Sequence, residues 1–257
     1  VLILWALLVQ SGECPLLLAQ AQKAFQSRDL PTARSTLDRA LGLCADRVPI
    51  YVSLGQIHYL EGKELDAEKQ FQQAITLDPN QTEARYHLGR LNYQQHRYPE
   101  AIEQLLKVVT LDPANHKAHD NLALCYDALR RDADALRHFK AALTLVMKDH
   151  PTYDWAHANL ADFLLRREQF ENAFQFAAEA ARRNPASARN AFLTGKALVK
   201  LDKHELSLRW LEQAVKLDPA YSEAWYLLAQ TYRKLSRAAD ADRALTEFKK
   251  HPRPPAR

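Results

Sequence analysis

The chain has 257 residues, 47% hydrophobic and 26% charged, enough apolar material for a sizeable core and, by length, about one to two domains. Its six glycines are too scattered for a dinucleotide-binding G-x-G-x-x-G, and neither a G-x-S-x-G elbow nor an Asn-Gly or Asp-Gly hairpin signal occurs, which excludes the usual phosphate and nucleophile loops and argues against an all-β chain. The formal net charge of +4 is mild: residues 1–115 carry 11 basic against 13 acidic side chains and residues 116–257 carry 24 against 18, and neither balance implies a nucleic-acid partner.

Val1–Val9 is an unbroken apolar run, too short to span a bilayer. It resembles the apolar core of a secretory signal, with Ala19-Gln20-Ala21 as an A-x-A cleavage site, so export to a periplasm or envelope is the expected localisation and the cytoplasm the alternative. No basic segment or initiator Met precedes the run and Glu13-Cys14-Pro15 interrupts it, so the competing expectation is an apolar N-terminal helix packing on the rest of the chain. Glu13 stands before Cys14 where lipidation needs a small residue. The three cysteines (Cys14, Cys44, Cys125) form no C-x-x-C pair and are too scattered to predict a disulfide framework.

Beyond this segment the chain repeats itself. Leu-Asp-Pro occurs at 77–79, 111–113 and 217–219, the first interval being 34 residues and the second 106, three periods plus four. Sliding on that period gives a column of small residues: Ala33, Ala67, Ala101, Ala135, Ala173, Ser207, Ala241. Twelve residues earlier runs a second: Ala21, Gly55, Gly89, Ala123, Ala161, Gly195, Ala229. Beside it stand Gln20, Leu54, Leu88, Leu122, Leu160, Thr194 and Leu228, and four residues after the first column come Leu37, Phe71, Leu105, Phe139, Ala177, Leu211 and Leu245. Pro79, Pro113, Pro185 and Pro219 close their repeats, because proline ends a helix and favours a turn. The fullest pattern is Trp225-x-x-Leu228-Ala229-x-x-Tyr232.

This pattern resembles the tetratricopeptide repeat (TPR) family. The resemblance covers seven repeats, 14–47, 48–81, 82–115, 116–149, 154–187, 188–221 and 222–255, after an apolar segment 1–13 and overlapping a Pro-rich polar tail 251–257 read as extended. It implies an all-α solenoid, a right-handed superhelix of helix–turn–helix units stacking into one core, with the first helix of each unit lining a concave groove. The four extra residues between Ala135 and Ala173 predict a second helix in repeat four longer by about one turn, with Pro151 in the closing role.

The repeat absorbs other motifs. Gly55–Gly62-Lys63 has the wrong gap for a phosphate loop and Glu64 replaces its Ser/Thr. His116 and His119 have no second ligand pair and are read as solvent-facing, so no metal and no cofactor is expected. Trp155, Trp210 and Trp225 are read as helix-packing aromatics, and Asn80-Gln81-Thr82 as a turn. The doublets Arg130-Arg131, Arg166-Arg167 and Arg182-Arg183 are read as helix-end charges. No local arrangement singles out a catalytic constellation, and the chain is expected not to be an enzyme.

In peptide-binding TPRs an inner-face asparagine grips the peptide backbone, since an amide both donates and accepts. The matching column is Ala19, Ser53, His87, Asn121, Asn159, Leu193 and Leu227, so the resemblance puts a short asparagine ladder at Asn121 and Asn159. Tyr86, His87, Arg90, Lys117, Asp162, Arg189, Phe192, Lys196, Tyr226 and Gln230 are expected to face the groove with them. The Lys/Asn, Asn, Lys/Arg clamp of chaperone-binding TPRs fails: centred on Asn159 it meets Asp120 and Leu124, and centred on Asn121 it meets Tyr86 and Trp155.

The expected function is a non-enzymatic scaffold binding a protein or an extended peptide, with no nucleic acid, no small-molecule substrate, and membrane contact only through an uncleaved N-terminus. The alternative is a structural assembly subunit of a secretion, pilus or envelope complex, acting through outer faces or the apolar N-terminus. A third reading, the regulatory half of a larger enzyme, applies if the chain is a fragment.

Overall fold

The computed structural model describes residues 2–150 and 152–251, without the side chains of 2–11, 148 and 149. Pro151 and the tail beyond His251 lie outside the described residues. The described residues form fourteen α-helices and no strand: α1 (Leu2–Gln26), α2 (Leu30–Leu43), α3 (Val48–Leu60), α4 (Glu64–Leu77), α5 (Thr82–Gln94), α6 (Tyr98–Leu111), α7 (His116–Ala128), α8 (Asp132–Asp149), α9 (Trp155–Arg166), α10 (Phe170–Arg183), α11 (Ala188–Lys200), α12 (His204–Leu217), α13 (Ser222–Lys234) and α14 (Ala238–Lys250). They divide between Arg130 and Arg131 into two compact units, α1–α7 and α8–α14. Helix α8 has 18 residues where α4, α6, α10 and α12 have 14, so the four extra residues lengthen it by about one turn.

Within each unit, neighbouring helices pack antiparallel through the small-residue columns. Ala33, Ala67, Ala101, Ala135, Ala173, Ser207 and Ala241 are all buried. In three repeats the position opposite the large residue is glycine: a Cβ on Gly55 would lie 2.5 Å from Phe71, on Gly89 2.7 Å from Leu105, and on Gly195 2.8 Å from Leu211. The close approach of backbone to a large side chain is what excludes even alanine there.

The turn inside each helix pair has one geometry. Arg28, Gly62, His96, Arg130, Glu168, Asp202 and Ser236 all have positive φ, spaced by 34 residues except for 38 between 130 and 168. Each closes its helix with the overlapping bonds of a left-handed cap; Gly62 N–H reaches Tyr59 O and Lys63 N–H reaches His58 O. Between repeats, a side chain six residues on satisfies the closing proline's carbonyl: Arg85 Nε donates to Pro79 O at 2.8 Å and Trp225 Nε1 to Pro219 O at 2.9 Å. His119 makes the corresponding contact to Pro113 O at 3.3 Å, and His116 is buried, so these two histidines are packing and turn residues, not the solvent-facing pair expected.

The cysteine expectation is overturned. Cys14 and Cys44 form a disulfide with their Cα atoms 5.3 Å apart. Cys14 lies within α1 and Cys44 caps α2, and their separation of 30 positions spans one helix pair, which folds back and brings the two together. The same two positions meet in the fifth repeat, where Asn184 Nδ2 donates to Asp154 Oδ2 at 3.3 Å. Below the disulfide, Leu17, Ala21 and Ala24 of α1 pack with Leu37, Ala40, Ile50, Leu54 and Ile57 in one cluster.

Candidate interaction faces

In the first unit the first-helix face is built on α3, α5 and α7. Arg90 lies with its guanidinium carbon 5.7 Å from the Tyr59 ring and 5.7 Å from the Tyr86 ring, joining two adjacent helices by cation–aromatic attraction. Asn121 Nδ2 donates to the Tyr86 hydroxyl at 3.4 Å and to Lys117 O at 2.8 Å. Burial is the first cause of a raised Tyr86 pKa, keeping the phenol protonated. Gln56 Nε2 donates to Glu83 Oε1 at 2.7 Å and lies 2.9 Å from His87 Nε2, whose ring meets Tyr86 edge-on at 5.4 Å. Tyr86, His87, Arg90 and Asn121 therefore form one contiguous strip, and Lys117 stands exposed beside it.

In the second unit the face is built on α9, α11 and α13. Arg189 lies 5.5 Å over the Trp155 ring while its Nη2 donates to Asn159 Oδ1 at 2.9 Å. Asn159 is only 5% exposed, so its carbonyl oxygen serves the arginine. Trp155 is 55% exposed and is not the packing aromatic expected. It shares its repeat column with Lys117 and Arg189, both expected groove residues, and that column was the signal that could have found it. Asp162 pairs with Arg166 one turn on. Phe192 is 9% exposed, packed against Tyr221 at 4.9 Å, with Lys196 Nζ 5.7 Å from its ring. Tyr226 is exposed, its ring 5.3 Å from Phe248. Gln230 stands apart from the Trp155 strip and lines a cavity of about 430 Å³ with Val199, His204, Thr231, Arg233 and Lys234, residues that sequence reasoning left out.

The arrangement offers apolar rings, cations and amides along helices at a fixed repeat. The free thiol Cys125 is buried and pushed up to about 12, a packing group rather than a nucleophile.

The family model for the tetratricopeptide repeat matches residues 18–82, 62–116 and 86–150, and a second TPR-repeat model matches 195–236. The first alone spans more than half of the sequence. The chain belongs to the tetratricopeptide repeat family. Among solved TPR structures, a protein from Parabacteroides merdae is similar at 13% identity and TM-score 0.72, with 94% of each chain covered. The pilF protein of Pseudomonas aeruginosa is similar at 20% identity and TM-score 0.72, covering 86% of this chain and 99% of its own. YrrB, described as a TPR protein with an unusual peptide-binding site, is similar at 19% identity and TM-score 0.55, covering 70% and 91%. No curated protein matches this sequence significantly. At these identities the likeness is one of fold, and the TPR fold is in general that of a protein-interaction scaffold.

Proposed function

We propose that this TPR chain is a non-enzymatic scaffold that holds an extended peptide, or an extended segment of a partner protein, against the faces of its first helices. The observation that carries this reading is Trp155: a tryptophan 55% exposed, its ring under the Arg189 guanidinium, presents a rigid apolar surface beside polar and charged side chains of α9 and α11. Aromatic and arginine side chains of this kind dominate interface energies because they bury much area at little rotamer cost. Tyr59, Arg90 and Tyr86 repeat the theme in the first unit. The similarity to YrrB supports the reading at the level of fold.

The test is selection of peptides from a random display library on the immobilised chain, followed by affinity measurement against Trp155→Ala. The expected loss is at least about tenfold with an unchanged circular dichroism spectrum and melting curve. Equal affinity for both proteins would remove this face from the function.

The second reading, an assembly subunit of a pilus or envelope complex, is favoured by the likeness to pilF over most of both chains and by exposed leucines on second helices, Leu65 and Leu206. Its signature is association that survives Trp155→Ala and is lost on changing Leu65 and Leu206 to Glu. We also propose export, on the support of the Cys14–Cys44 disulfide, since such bonds persist in oxidising compartments.

A further inference from the structure

We infer that the C-terminal ends of α11 and α13 form a cleft for acidic side chains, so that the segment held by the second unit is a carboxylate-rich peptide. This rests on the scaffold reading above and narrows its ligand.

Two independent observations carry it. The first is uncompensated charge. Lys200, Arg233 and Lys234 are exposed, and among the described residues none of them meets a carboxylate. Most arginines of the same unit do: Arg166 pairs with Asp162, Arg167 with Asp132, Arg182 and Arg183 with Glu179, Arg237 and Arg243 with Asp240. A cation in the last turn offsets a helix macrodipole, but that accounts for one charge at each end and not for a run of three across two neighbouring ends. Lys200 and Lys234 are 34 residues apart and occupy the same rung of adjacent first helices, as do Val199 and Arg233, and Lys196 and Gln230.

The second observation is space. A cavity of about 430 Å³ is walled by Val199, His204, Gln230, Thr231, Arg233 and Lys234, and Lys200, whose Nζ lies 5.9 Å from the Phe170 ring, is the next residue along the chain from its Val199 wall. It can admit a glutamate side chain with part of its backbone. Gln230 offers an amide that matches peptide N–H and C=O, and Val199 supplies an apolar wall. Asp202, near the rim, is engaged by His204, whose Nε2 lies 2.9 Å from its Oδ1. Asp202 just after α11 and Glu223 on α13 interrupt the positive field, so a short segment with spaced carboxylates fits better than a uniform polyanion such as RNA.

The experiment uses the full chain and three fluorescein-labelled peptides, four repeats each of Ser-Leu-Glu, Ser-Leu-Gln and Ser-Leu-Lys, read by fluorescence anisotropy. The expected result is binding of the Glu peptide at least about tenfold tighter than the Gln peptide. That preference is lost in Lys200→Gln/Arg233→Gln/Lys234→Gln, restored when position 234 is arginine instead, and weakened as salt rises from about 0.05 to about 0.5 M. All three positions are exposed, and an unchanged melting curve keeps folding out of the comparison. Equal binding of Glu and Gln peptides, no binding of either, a preference that persists in the triple variant, or tighter binding of an oligouridylate than of the Glu peptide would each overturn the cleft. Loss of library-selected peptides on Trp155→Ala remains the separate measure of the scaffold reading, so the two can fail independently.

Discussion

His157 enters α9 on its buried side, 3% exposed, with Nδ1 meeting no hydrogen-bond partner among the described residues. Burial first, then the Arg183 and Arg182 charges, lower its pKa from the ordinary 6.5 to about 4, against the opposing pull of Glu179 and Asp154. The ring is therefore neutral in the folded protein where the unfolded chain already binds a proton. Stability from this group is complete above pH 6.5 and is lost as pH falls towards about 4, because the unfolded state takes up the proton first. The urea midpoint is expected to decline through that window and the decline to be absent in His157→Phe; identical pH profiles for the two proteins would show that the ring titrates freely. Glu179 contributes in a separate window, since the Arg182 hydrogen bond, with Arg183 adding to it, holds its carboxyl at about 2 and its share is lost only as pH falls below 4.5.

At the scale of the helix pair, seven turns share one left-handed residue and only Gly62 is a glycine. Arg28, His96, Arg130, Glu168, Asp202 and Ser236 hold a conformation that costs an L-residue about 1 kcal/mol relative to glycine. Glu168→Gly is expected to raise stability by up to about 1 kcal/mol, and Gly62→Ala to lower it by a similar amount, both read from denaturation midpoints. Opposite signs to these would place the strain elsewhere. The helix columns were legible because packing leaves room for only one residue size at Ala67 or Gly55, and sequence records that directly. The turns were not, because backbone hydrogen bonds impose their φ on whatever residue stands there. The disulfide escaped for a related reason: a separation of 30 residues looks remote until the helix pair folds back and brings repeat positions one and thirty-one together. Candidate face residues were legible only as columns. Column membership found Arg189 and Asn159, but not that one would occupy the other's carbonyl oxygen, nor that Phe192 would turn into the core.

For the whole molecule, stability is a sum over helix pairs and their immediate neighbours, and among the described residues the first repeat packs on the second through α2 and α3. It also has Cys44 where later repeats place the aspartate of Leu-Asp-Pro, whose carboxylate caps the turn: Asp78 Oδ1 accepts from Asn80 N–H at 2.9 Å, and Asp218 Oδ1 from Ala220 N–H at 2.9 Å. The cross-link from Cys44 to Cys14 takes over that closure. Closing a loop of this length removes about 3–4 kcal/mol of unfolded-chain entropy, comparable with a large share of a domain's net stability. Reduction by dithiothreitol, or Cys14→Ser with Cys44→Ser, is therefore expected to speed amide exchange in α1 and α2 by about a hundredfold while exchange in α11–α14 stays unchanged. Uniform acceleration through the chain would mean that the bond supports more than its own repeat. The same pair tests export. Protein taken from its native host under non-reducing conditions should yield linked Cys14 and Cys44 peptides with Cys125 free. Reduced cysteines in that sample would assign the chain to a reducing compartment, and a mature N-terminus after Ala21 would remove Cys14 and Leu17 from the first repeat and overturn the clasp.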